Sequence, residues 1–515
     1  MLLWFVILYL AISVGIGLVA ATRVHSAKDF AVAGRHLPLP VVTATVFATW
    51  FGAEAVFGVS ATFVKDGLGG VVADPFGSSM CLILAGLFFS SKLYKLNILT
   101  LGDFYRIRYN RSVEIITTLC VVASYLGWVS AQIKALGLIF SVVTDGHVSQ
   151  EAGMVLGAAI VLTYTTFGGM LSVAVLDFVQ MLVSMGGLLY IAWIMSTKTG
   201  GVVSVVDHAR EAGKLEFFPS GGDPLLWLTF LGAWLTMMLG SIPQQDVFQR
   251  ITSAKTQRVA LTGSVLGASI YFCFTFVPMF IAYSATLIDP AMFTDLLEKD
   301  SQLVLPTLVL QHTPLLAQVL FFGAVLSAIM SCSSATLLAP SVTFAENIVR
   351  NFVPDMTDRA FLRVMRFTIV GFALVVLAFA LNSNVSIFKM VENAYKVTLA
   401  GAFVPLVAGA FWRRATSQGA LAATFGGLVS WVLIEVLVGG ADGAEPAQDY
   451  AYALISGAIP PQLIGLAVSA LGMVAGSLMP QWIAHDPHRH DNLHHGHHAA
   501  GQTHHAEPVH HHPPR

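Results

Sequence analysis

The chain has 515 residues, of which 56% are apolar and only 11% charged, with a formal net charge of -2. Soluble domains carry charge on about a quarter of their residues, so an ordinary water-soluble protein is excluded, and the near-neutral balance excludes the basic face that nucleic-acid binding requires. What remains is an all-α polytopic membrane protein whose constant partner is the lipid bilayer. Cys81, Cys120, Cys273 and Cys332 fall inside apolar runs without C-x-x-C spacing, so neither a disulfide framework nor a zinc cluster is expected.

The opening run, MLLWFVILYLAISVGIGLVAATR, lacks a basic leader region and is long enough to cross a bilayer, which predicts a retained span. With it, apolar windows near residues 2–22, 38–64, 74–93, 115–143, 152–167, 170–196, 225–245, 258–284, 309–345, 364–382, 385–411, 416–438 and 459–480 predict thirteen transmembrane helices. Inside the second window, Thr43 to Ser60 carries Gly52, Glu54 and Gly58. A carboxylate in hydrocarbon costs several kcal/mol unless it faces protein, water or an ion, so this stretch predicts a broken helix lining a transport site. Trp227 to Gln245 is interrupted in turn by Gly240, Ser241, Pro243, Gln244 and Gln245. Two interrupted spans in corresponding halves are the sequence mark of an inverted-repeat secondary transporter.

Orientation follows from the basic residues. Arg23, Lys28 and Arg35, then Lys92 to Arg111, Arg250 to Arg258, Arg350 to Arg366, and Arg413 with Arg414 fall on alternate loops, which predicts those loops cytoplasmic, the N-terminus outside and the C-terminus inside. Asp289, Asp295, Glu298 and Asp300 lie in one opposite loop, and Asp442, Glu445 and Asp449 in another. From about His485 the sequence turns histidine-rich without apolar periodicity, predicting a disordered tail at 485–515 able to chelate zinc or nickel adventitiously or in a regulatory role.

Four segments in order, AKDFAVAGRHLP at 27–38, YTTFGGMLSVAVLDFVQ at 164–180, QDVFQRITSAK at 245–255 and GAFWRRAT at 409–416, resemble the signature of the sodium/solute symporter family. ATWFG at 48–52, GLFFSSK at 86–92, WVSAQIKALG at 128–137 and MLGSIPQQDVFQR at 238–250 are most similar to its choline-transporter branch. The resemblance implies a LeuT-type core of five plus five inverted repeats with broken first and sixth core helices. That divides the chain into an N-terminal helix and loop at 1–37, a transport core at 38–411, two further helices at 412–484 and the tail.

It also implies a sodium site built from the carbonyls of Ala48, Phe51 and Ala328, the Ser331 hydroxyl and position 332, where a serine or threonine is usual and this chain has Cys332. A thiol is a soft, poor partner for a hard cation, so protons stand beside sodium as the alternative coupling ion. Without the resemblance, Ser331 reads as a hydroxyl bonded to its own helix four residues back. Asp177 reads either as an acid on the ion exit route or as a helix-start aspartate.

For the substrate, Trp50 and Trp128 match tryptophans of the choline branch and suit a cationic head, which aromatic faces attract. Ser78 and Gln244 stand where that branch has a tyrosine and a tryptophan, and Gln244 is left as a polar contact near the break. Glu54 stands where sugar carriers have an acid, but their adjoining glutamine is here Ala55. Lys134, also mid-span, is the expected ion-pair partner of Glu54, with direct substrate contact or a water-facing acid as the other readings. The expected protein is a multi-pass, inner-membrane, sodium-coupled symporter importing a small polar, zwitterionic or cationic metabolite by alternating access. It is expected not to be an enzyme; a solute-sensing receptor is the rival.

Overall fold

The computed structural model describes residues 2–439 and 459–483. The histidine tail and the acidic residues Asp442, Glu445 and Asp449 lie outside that range. Among the described residues the fold is helical, and the one β-type pairing is a bridge between Leu37 and Ala254.

Among the described residues, ten helices are long and apolar enough to cross a membrane, and twelve spans result if two bent helix pairs each count as one. The helices used below are α1 (Leu2–Ala21), α2 (Leu39–Trp50), α3 (Glu54–Asp66), α4 (Val72–Lys95), α5 (Leu101–Arg108), α6 (Arg111–Val143), α7 (Gln150–Lys198), α8 (Pro224–Gly240), α9 (Gln245–Ser253), α10 (Gln257–Ile288), α11 (Leu315–Phe352), α12 (Asp358–Asn382) and α13 (Ile387–Phe411). The bent pairs are α2 with α3, at 55°, and α8 with α9, at 43°. These are the two spans whose sequences carry glycines and polar residues mid-way. The second pair runs to Ser253, eight residues past the predicted window.

The windows at 152–167 and 170–196 lie in one 49-residue helical run, α7, that is bent between them. Unbent, it would reach about 74 Å at 1.5 Å per residue, more than twice the hydrocarbon thickness. Gly169 divides it, with φ 51° and ψ -146°. A Cβ there would lie 2.5 Å from the Phe30 carbonyl, so only glycine permits both the turn and the approach.

α1 packs along α7 and leaves most of its surface outward, with Trp4 and Val19 more than two-thirds exposed, as expected of a helix facing lipid. α9 is the opposite case and buries every residue, as do the Val42–Trp50 part of α2 and the Ala324–Thr343 part of α11. At their arginine-rich ends the two broken spans are joined: Leu37 N–H donates to the Ser253 carbonyl and Lys255 N–H to the Leu37 carbonyl, both at 3.0 Å. α5 is set by a capping box of Thr100 and Asp103 and is tied to α13 by Tyr105, whose hydroxyl donates to the Ala402 carbonyl at 2.9 Å.

Candidate ion and substrate site

Helix α2 ends where its amides find other partners. Gly52 N–H donates to the Trp50 carbonyl at 3.0 Å, and Ala53 N–H to Gln132 Oε1 of α6 at 2.8 Å. Phe51 leaves helical geometry at φ -83°, ψ 78°. The Ala48 carbonyl, which a continuous helix would join to the Gly52 amide, instead accepts from the Ser331 hydroxyl of α11 at 3.4 Å. No side chain larger than hydrogen fits at position 52, since a Cβ would lie 2.6 Å from both the Cys332 Cβ and Gln132 Oε1.

On one side of this break lies a nest of oxygens. The Asp177 carboxylate shares the single Ser331 proton with the Ala48 carbonyl and is the nearer acceptor, and Thr45 Oγ1 donates to the other oxygen of the same carboxylate. Thr45, Asp177 and Ser331 are fully buried. Ser331 does not bond its own helix four residues back, although Ser333 and Thr336 do, donating to the Ile329 and Cys332 carbonyls at 2.6 and 2.8 Å. Asp177 is not a helix-start residue; it sits eight positions beyond Gly169 on α7 and faces inward. Cys332 is buried with its sulfur toward Gly52, and Ala328 and Phe51 are buried beside it.

The other side of the break is aromatic. Trp50 meets Trp128 edge to face at 5.5 Å between ring centroids and lies nearly parallel to Tyr395 at 6.1 Å. Trp128 in turn lies 5.6 Å from Tyr395 and stacks on Tyr125 at 5.9 Å. Beside these rings, in the first turn of α9, is Asp246. Trp50 Nε1–H donates to its Oδ2 at 3.0 Å and the Tyr125 hydroxyl donates to its Oδ1, so this buried carboxylate joins the two broken spans to each other and to α6. Gln244, at the break itself, donates to Ser124 Oγ at 2.8 Å, while Gln245 Oε1 accepts from Leu101 N–H at 2.8 Å.

The expected Glu54–Lys134 pair does not form. Lys134 Nζ donates to the Ser383 and Val385 carbonyls, at 3.0 and 2.8 Å, because its long stem carries the ammonium to the chain between α12 and α13. Glu54 is buried in the first turn of α3, and its charged neighbours are Asp74 and Glu392, of which Glu392 is held by Lys389 at 2.6 Å.

Thr45, Tyr125, Gln132, Asp246 and Tyr395 belong to this region and the sequence reading passed over them. Three were within its reach. Tyr125 and Gln132 stand three residues before and four after Trp128, on the same helix face, and Asp246 follows directly on the two glutamines at the break. Tyr395 had no local mark.

Residues 30–427 match the sodium:solute symporter family. The human high affinity choline transporter 1 is 27% identical over 411 residues, covering 77% of this chain and 69% of its own length. The sodium/pantothenate symporter of Escherichia coli (strain K12) is 25% identical over 484 residues, covering 92% and 96%. The osmoregulated proline transporter OpuE of Bacillus subtilis (strain 168) is 26% identical over 394 residues, covering 72% and 74%. Among solved structures, a Na+-coupled sialic acid symporter in a substrate-bound outward-open state superposes with a TM-score of 0.76 at 17% identity, over 94% of this chain and 99% of that one. These relatives are transporters rather than enzymes. The chain, a multi-pass helical membrane protein with two broken spans meeting at its centre, belongs to the sodium:solute symporter family, on the side of it where the high-affinity choline transporters sit.

Proposed function

We propose that this protein is a secondary-active symporter that couples inward sodium movement to uptake of a small polar, zwitterionic or cationic metabolite by alternating access. The observation that carries this reading is the Ala48 carbonyl, released by the break in α2 and turned to the Ser331 hydroxyl and, through it, to Asp177. Sodium is a hard cation that takes oxygen ligands. The Ala48, Phe51 and Ala328 carbonyls, Ser331, Thr45 and Asp177 would hold it, with the Cys332 thiol the weak, soft member of the set. The metabolite would sit across Trp50 among Trp128, Glu54 and Gln244. With Gly169 dividing α7, the spans number thirteen in two inverted repeats of five, the N-terminus outside and the C-terminus inside the plasma membrane. Membership of a family that takes its name from sodium, and relatives named for choline, pantothenate and proline, support the reading.

Reconstitution into vesicles under an imposed sodium gradient tests it, with labelled choline, proline and pantothenate as cargo probes. Uptake of at least one is expected to need sodium on the outside and to collapse when the gradient is removed. Uptake that ignores sodium and follows an imposed pH gradient would replace sodium by the proton, the second reading that Cys332 keeps in view.

A further inference from the structure

We propose that Arg250 is a counter-charge shared by Asp177 and Asp246, and that sodium arriving at Asp177 releases it to Asp246; this deepens the symporter reading and rests on it. Among the described residues Arg250 is the one lysine or arginine side chain that is buried. Its hydrogen bonds are few and long. Nη1 donates to the main-chain carbonyl of Asp246 at 3.3 Å and to Gln249 Oε1 at 3.4 Å, while Nε and Nη2 are buried without a partner. Unpartnered donors on a buried charge are costly, so a guanidinium held in this way is poised for an acceptor that it does not yet bond.

Two acceptors flank it. Asp246 lies four residues earlier on α9, so its carboxylate projects from the same face one turn away, and the two side chains share with Thr49 and Ser264 the wall of a pocket that has room for about one water molecule. Thr49 leads to the second acceptor. Its hydroxyl donates to the Thr45 carbonyl at 2.6 Å, and Thr45, one turn back on α2, donates to the Asp177 carboxylate. The positive charge of Arg250 acts on both carboxylates.

Counting these charges gives the coupling. Asp177 and Asp246 bring two negative charges and Arg250 one positive, so the group is one positive charge short, which a sodium ion in the oxygen nest supplies. Without the ion, one guanidinium serves two carboxylates. With the ion bound at Asp177, Arg250 belongs to Asp246, the carboxylate that Trp50 and Tyr125 hold, so the state of the ion site is felt at the aromatic wall across the break. Arg250 is thus a positioning residue that need touch neither passenger.

The test is a double-mutant cycle on sodium-induced thermal stabilisation of the purified full chain, with sodium exchanged for potassium at constant ionic strength. Asp246→Asn leaves Arg250 to Asp177 alone, and the half-saturating sodium concentration is expected to rise at least tenfold. Arg250→Gln removes the competitor, and that concentration is expected to fall at least threefold, whereas loss of a merely structural arginine would weaken sodium binding or leave it unchanged. In the Arg250→Gln background, Asp246→Asn is expected to change it less than twofold. Equal effects of Asp246→Asn with and without Arg250, or sodium binding in Arg250→Gln no tighter than in the wild type, would overturn the assignment. Should Arg250→Gln not fold, two other measurements decide: Asp246→Asn alone, and the part of the indole emission that Trp50→Phe removes, which sodium is expected to shift. Sodium binding unchanged in Asp246→Asn, or a Trp50 emission that ignores sodium, would overturn the assignment equally. A wild type that potassium stabilises as well as sodium does would instead overturn the sodium-coupled reading on which the role of Arg250 rests.

Discussion

Asp177 and Asp246 are both buried carboxylates on either side of the α2 break, and each accepts two side-chain hydrogen bonds, one per oxygen. Their donors differ in kind. Asp177 takes the aliphatic hydroxyls of Thr45 and Ser331, small groups that can turn their oxygens to a bare metal ion. Asp246 takes an indole and a phenol, bulky groups whose flat faces exclude water. The same functional group is thus given two different surroundings, and α2 supplies one donor to each, from Thr45 and from Trp50, which lie five residues apart.

Substitutions can break or sharpen that contrast. The largest effect is expected from Asp177→Asn, which removes a charge from the oxygen nest: sodium activation of uptake should weaken about 100-fold, matching the roughly 1.5–3 kcal/mol of a charge-assisted hydrogen bond. Next, Gly52→Ala forces a Cβ against Cys332 and Gln132, and overpacking of this sort costs about 1–3 kcal/mol, read as a lower melting temperature. Ser331→Ala should raise the half-saturating sodium concentration about tenfold, the low end of a charge-assisted hydrogen bond, and leave cargo affinity at saturating sodium unchanged. Cys332→Ser, which restores a hard oxygen, should leave sodium activation unchanged or strengthen it. Smallest of all, Lys134→Met should change uptake no more than about threefold, because its ammonium bonds loop carbonyls rather than Glu54. A tenfold loss there would restore the ion pair that the geometry denies.

Both breaks were legible in the sequence because glycine, proline and a carboxylate have no inexpensive place inside an unbroken apolar helix. Ser331 and Ala48 could be brought together only through the family resemblance, since they are 283 residues apart and nothing local links them. The Glu54–Lys134 pair failed for a plain reason: both were read as mid-span, and depth alone does not set azimuth. α6 turns Lys134 toward α12, whereas Glu54 opens α3 beside Asp74. Asp246 was visible but read as part of a motif rather than as a charge. Tyr395 illustrates the other limit, since a tyrosine in a helical stretch acquires meaning only when two other spans, α2 and α6, present rings to it.

The pair of main-chain bonds between Leu37 and the Ser253–Lys255 segment fastens the entrance of one interrupted span to the exit of the other. Moving either half-helix alone would break both bonds, at a cost of about 1–3 kcal/mol, so the fold favours displacing α2 and α9 as one body.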